Sequence, residues 1–149
     1  MIVLKYIASS GNIYDLKSKD IGYAIDNNST TGNAVLTING GSVTASGSNY
    51  YDAVRLFANS LTKENSVTVT GGEVSSIWMQ NPSDGAAGKN NLDVLGSVTV
   101  TGGEIGGLYL EPSAGFTAAI SGGIVHTLGE FNVEADDADK IPTKFVSGG

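Results

Sequence analysis

Apolar and polar residues alternate along several short stretches of this chain, and each stretch runs into a Gly-Gly pair. The phrase SVTVTGGE occurs at 66–73 and again at 97–104, while LTINGGSV at 36–43 and AAISGGIV at 118–125 follow the same order. Alternation with a period of two, carried by β-branched residues, predicts a strand with one apolar face. The Val/Thr runs and the Gly-Gly pairs both disfavour a helix.

Aligned on their glycines, the phrases place similar residues in the same columns. One inward column holds Leu36, Val67, Val98 and Ala118, and the next holds Ile38, Val69, Val100 and Ile120. Glycine permits a positive φ and a close approach of two backbones, so the pairs are predicted to be structural turns. They are Gly40, Gly41, Gly71, Gly72, Gly102, Gly103, Gly122 and Gly123.

A second strand is predicted after each glycine turn. The sequences VRLFANS at 54–60, IWMQNPS at 77–83 and LYLEPSA at 108–114 align with one another, and YAIDNNS at 23–29 is aligned with them. In this alignment Tyr23 shares an inward column with Val54, and Ile25 shares the next with Leu56. Asn, Pro and Ser then begin a return loop.

The spacing of the motif predicts a stack of repeats. The first glycine of each pair falls at 40, 71, 102, 122 and 148, so a fixed motif is separated by variable gaps. We therefore expect an all-β fold, a right-handed parallel β-helix (β-solenoid) of about four to five coils with inserted loops. Residues 1–21 would form an N-terminal cap or a divergent first coil, and residues 22–149 the solenoid repeats. An antiparallel β-sandwich stays open, since short strands and turns suit it too.

The phrases SVTVTGGE and IWMQNPS, together with AAISGG and KFVSGG, resemble the repeats of large bacterial cell-surface (adhesin-like) proteins with parallel β-helix regions. The resemblance covers about residues 22–149. It implies extracellular display on the bacterial cell surface and an adhesive or scaffold role, and it transfers no catalytic residue. Because residues 147–149 open a further repeat, we expect a fragment of a longer protein whose remainder is one partner.

Composition and charge narrow the classes of partner. The chain has 149 residues with a formal net charge of −7, and such an acidic surface disfavours nucleic acid and anionic lipid. No apolar run is long enough to span a bilayer, so no membrane insertion is expected. With no cysteine, the chain offers neither disulfides nor a thiolate nucleophile, and no cofactor is expected.

The outward column of the second strand is the candidate binding site. It reads Ala24, Arg55, Trp78 and Tyr109, and the next outward column reads Asp26, Phe57, Gln80 and Glu111. Stacked aromatic rings form a flat apolar strip that can bind a glycan or a host or cell-surface protein, and Arg55 can lie over the Trp78 ring. The alternative is that the inserted loops at 44–52 and 83–96 cover this strip as a second small core.

Other residues offer weaker candidates for chemistry. Glu73 and Glu104 share a column, about 5 Å apart on adjacent coils, which is close to the carboxyl separation of retaining glycosidases. Solvated acids beside a turn are the alternative. Calcium is considered for Asp136, Asp137 and Asp139, for which a solvated acidic loop is the default.

The sequence leaves three interpretations of the function open. The favoured one is a non-enzymatic structural or adhesive segment. The others are a carbohydrate-active β-helix enzyme, either a polysaccharide lyase or a hydrolase, and a phage tail-spike segment. His126, the single histidine, is expected to be an ordinary strand residue.

Overall fold

Seven parallel β-strands make up the fold seen in a computed structural model, which describes residues 15–18, 25–28, 34–45, 53–58, 60–81, 94–111 and 113–130. The strands are β1 (Asp15–Ser18), β2 (Ile25–Asn28), β3 (Val35–Ala45), β4 (Val54–Phe57), β5 (Asn65–Gln80), β6 (Gly96–Leu110) and β7 (Phe116–Glu130). Every pairing between them is parallel. The predicted all-β class is confirmed for these residues, and the antiparallel sandwich is wrong.

Successive repeats of the sequence are neighbours in the sheet. The strand β5 pairs along most of its length with β6, and β6 pairs with β7 in the same way. On its other side β5 is met by two strands, β3 along its first part and β4 along its last part. Each repeat therefore contributes two strand segments, the first and the second arm, on either side of its glycine pair.

The predicted columns of the first arm are confirmed by the register. Val67 lies opposite Val98, which lies opposite Ala118, and Leu36 completes this column on β3. The second column runs through Ile38, Val69, Val100 and Ile120 in the same way. The identical phrases at 66–73 and 97–104 thus lie side by side, as repeats in direct register require.

Close packing of backbone at the turns explains why glycine recurs there. Gly72 has a φ of +85°, and a methyl group on it would lie 2.7 Å from the carbonyl oxygen of Gly41. A methyl on Gly71 would lie 2.8 Å from the carbonyl oxygen of Asn39. Both distances are far below van der Waals contact, so each turn fits on the one before it only without a Cβ. Positive φ values recur at Gly41, Gly103 and Gly123, so the second glycine of each pair adopts the conformation that glycine favours.

The two arms of the repeats share one hydrophobic core. Apolar columns of the first arm, such as that of Val69, and of the second arm, such as that of Ile77, belong to one cluster of buried residues. Leu56 lies on the second arm, and its Cδ2 atom is 3.0 Å from the Cβ position of Gly96 on the first arm. Side chains of the first and second arms therefore meet in this core.

The alignment of the earliest repeat needs a correction. Ile25 lies opposite Val54, and Asp26 lies opposite Arg55, whereas the sequence alignment had set Ala24 beside Arg55. The strand β2 is thus shifted by two residues from its expected position. Within residues 1–21, predicted to be an N-terminal cap or a divergent first coil, Asp15–Ser18 pairs in parallel with Ser42–Ala45.

The last described strand has an exposed side. Within the described part of the chain β7 pairs with β6 alone, and its Ile124 and Leu128 side chains are 55% and 48% exposed. Leu128 continues the column of Ile77 and Leu108, both of which are fully buried. The phrase at 144–149, on which the expectation of a fragment depends, lies outside the described residues. Among those residues, no helix has the length and apolar character needed to cross a membrane.

Candidate binding face

Five outward side chains of the second arm form the surface we call the aromatic face: Arg55, Phe57, Trp78, Gln80 and Tyr109. Arg55 lies opposite Trp78 and Phe57 opposite Gln80 where β4 pairs with β5, and Trp78 lies opposite Tyr109 where β5 pairs with β6. All five side chains are half-buried, while the residues between them face the core. The predicted outward column is therefore brought together on one face of the sheet.

Arg55 makes two contacts within the aromatic face. Its Nη1 atom donates a hydrogen bond to Oε1 of Gln80 at 3.2 Å. Its guanidinium carbon lies 5.2 Å from the centre of the Phe57 ring, in the range of a cation–π contact. These contacts direct the guanidinium toward Phe57 and Gln80, which face each other in the register, whereas the backbone of Arg55 pairs with that of Trp78. A contact of Arg55 with the Trp78 ring itself stays a prediction.

Tyr109 lies against two glycines, a contact that was not predicted from the sequence. A methyl group on Gly107 would lie 2.5 Å from Cε2 of the Tyr109 ring, and one on Gly129 would lie 2.6 Å from its Cδ1. Gly129 is the partner of Tyr109 in the register, and Gly107 precedes Tyr109 by two residues on the same strand. A glycine two residues before an outward tyrosine was the sequence signal for this packing, because both positions share one face.

Glu111 is a correction to the predicted site. It was expected beside the strip as an exposed hydrogen-bonding group, but it is only 2% exposed. Its Oε2 atom accepts a hydrogen bond from the backbone N–H of Asn81 at 2.9 Å. Its own N–H donates to the carbonyl oxygen of Met79. Glu111 therefore supports the end of the second arm from within and is not available to a ligand.

This buried hydrogen bond leads to a stability prediction. We expect Glu111→Ala to lower the free energy of unfolding by about 1–3 kcal/mol, because the N–H of Asn81 would lose a buried acceptor. Glu111→Gln keeps an acceptor of the same length and should cost less. Urea unfolding of both variants, followed by circular dichroism, tests the expectation. Equal stability of the two variants would contradict the role assigned to the hydrogen bond.

The acidic column beside the glycine turns is exposed. Glu73 lies opposite Glu104 as predicted, and Glu104 Oε1 lies 2.7 Å from Nε2 of His126. The side chains of Glu104 and His126 are both more than half exposed, and an ion pair at such an exposed position contributes little to stability. The contact between His126 and Glu104 was not predicted, because the two occupy neighbouring outward columns on adjacent strands rather than the same column.

Two other predictions concern residues that lie outside the described ones. These are the calcium candidates Asp136, Asp137 and Asp139, and the central parts of the loops considered as covers for the strip. Within the described ranges, no group of three or more His, Asp or Glu side chains is placed to hold a metal ion.

Comparison with known proteins identifies no relative of the chain. No protein-family model, no curated protein and no solved structure matches the chain.

Proposed function

We propose that the chain is a segment of a parallel β-solenoid with a structural and adhesive role rather than a catalytic one. Two observations support a solenoid. Successive repeats pair in parallel with nearly constant register, and buried residues of both arms belong to one core. A chain that bends at each glycine pair and returns one strand further on would wind as a helix of β-strands.

Such a solenoid would act as a stiff rod. Backbone hydrogen bonds run along the stacking direction, and buried aliphatic columns such as Val43, Val74 and Ile105 run parallel to them. Each repeat is held by its neighbours on both sides, so the rod resists bending without needing a large core. The sequence resemblance to surface proteins supports an extracellular position on a bacterial cell, where a rod of this kind displays a binding surface.

The aromatic face is the proposed binding surface, and its composition is the single observation that supports recognition. Trp78 and Tyr109 lie in register, with Arg55 and Gln80 joined by a hydrogen bond beside them. Flat aromatic rings bind the apolar face of a sugar, while amide and guanidinium groups bind its hydroxyls. A glycan is therefore the favoured ligand, and a surface protein is the alternative.

A glycan array tests this proposal. We expect the unmodified protein to bind a subset of glycans and Trp78→Ala to lose that binding, because the largest ring of the face is removed. Thr68→Ala is the matched control, since Thr68 is a half-buried outward residue on the first arm of the same strand. If the unmodified protein binds no glycan, or if Trp78→Ala binds as strongly as the control, the aromatic face is not a sugar platform.

A further inference from the structure

We infer that Tyr109 is the stacking platform for a neutral polysaccharide, and that Gly107 and Gly129 are the positioning residues that hold its ring flat. This inference rests on the proposed function, since it names the class of glycan and the ring that binds it.

The orientation of the ring follows from which of its edges lies near each glycine. The positions nearest a methyl on Gly107 are Cε2, Cζ and the hydroxyl oxygen, at 2.5–2.7 Å. Those nearest a methyl on Gly129 are Cδ1 and Cε1, at 2.6 and 2.9 Å. Opposite edges of one ring thus lie close to the backbones of two different strands, β6 and β7. The ring therefore lies with one face against the sheet.

This packing leaves the other face of the ring directed away from the sheet. Tyr109 is half-buried, so part of the side chain is accessible. Gly107 and Gly129 supply the only kind of surface on which the ring can lie so close, because any side chain there would lift it. Pairing of an aromatic ring with a glycine on the neighbouring strand also stabilises a sheet, so binding must be separated from stability in the test.

Charge favours a neutral polysaccharide over an anionic one. The chain carries a net charge of −7, which repels polymers of uronic acid. Arg55, the single cation of the aromatic face, already donates to Gln80 and lies over Phe57. The aromatic face provides ring surface and an amide group around Tyr109. These groups bind the hydroxyls and C–H faces of sugars better than they bind carboxylates.

Glycine-to-alanine variants test the positioning without removing the ring. In Gly107→Ala and Gly129→Ala the nearest atoms to the new methyl belong to the Tyr109 ring, which can turn away, so both variants should fold. Gly40→Ala is the matched control, because a methyl there has open space around it. Binding is measured by affinity electrophoresis with hydroxyethylcellulose and galactomannan as neutral probes and polygalacturonate as the anionic probe. Unfolding midpoints are recorded for every variant.

We expect the unmodified protein, Tyr109→Phe and Gly40→Ala to bind a neutral probe. Gly107→Ala, Gly129→Ala and Tyr109→Ala should bind it roughly tenfold more weakly, as for loss of one aromatic hot spot. If the substitutions change the unfolding midpoints but leave binding unaltered, the ring has only a structural role. The inference that Tyr109 is a stacking platform would then be wrong. Binding to polygalacturonate alone would overturn the neutral class and leave the proposed function intact. No binding to these probes or to any glycan on the array would overturn both.

Discussion

Gly103→Ala is expected to lower the free energy of unfolding by about 3 kcal/mol, from a single added methyl group. Gly103 has a φ of +83°, a conformation that alanine adopts only with strain. The methyl would also lie 2.8 Å from the carbonyl oxygen of Gly72 and 2.9 Å from the carbonyl carbon of Gly71. Both atoms are backbone of the neighbouring repeat, which is fixed by parallel pairing on either side, so neither can move aside cheaply.

The same motif supplies a control for this prediction. Gly40 is the first glycine of its pair, its φ is not positive, and a methyl on it meets nothing within 4 Å. We expect Gly40→Ala to unfold at nearly the same denaturant concentration as the unmodified protein. Urea unfolding followed by circular dichroism measures both variants. A Gly103→Ala variant within about 0.5 kcal/mol of the control would show that the stacked turns are not tightly packed.

The sequence predicted the central repeats well because two independent signals agree there. Alternation assigns each residue to the core or to the outside, and the Gly-Gly pair fixes the position along the strand. Where both are present, as at Val69 and Val100, the pairing follows directly. The outward column from Arg55 through Trp78 to Tyr109 was predictable for the same reason.

The register of β2 was wrong because the second of these signals is missing. No Gly-Gly pair precedes residues 23–29, so only the alternation of inward and outward residues was available. A shift by two residues leaves that alternation unchanged, and Ile25 faces the core in either alignment. Alternation alone therefore does not distinguish pairing of Ile25 with Val54 from pairing with Leu56.

The position of Glu111 was missed for a different reason. It follows the last residue of β6, and beyond the end of a strand the side chains no longer alternate between two faces. There the Glu111 carboxylate accepts a hydrogen bond from the backbone N–H of Asn81. The flat Tyr109 ring was missed because alternation gives the face of a residue but not its rotamer. The space above Gly107 and Gly129 decides that rotamer.

Leu108→Ala is expected to lower the free energy of unfolding by about 2–5 kcal/mol, the range for large-to-small changes in a core. Leu108 is fully buried and lies between Ile77 on one neighbouring strand and Leu128 on the other. Its side chain therefore fills one level of a continuous aliphatic column. In a stack of repeats a cavity at one level weakens the interface on both sides, because each repeat is stabilised chiefly by its neighbours.

Leu128 provides the matched control, since it is the same residue type in the same column one strand further on. It is 48% exposed, so Leu128→Ala removes little buried surface and should cost less than about 1 kcal/mol. Equilibrium urea unfolding of both variants, with the slopes compared, measures the difference. A similar loss in the two variants would mean that the column is covered equally at both levels. In that case the second arm of β7 would be part of the core, and further chain would have to pack against it.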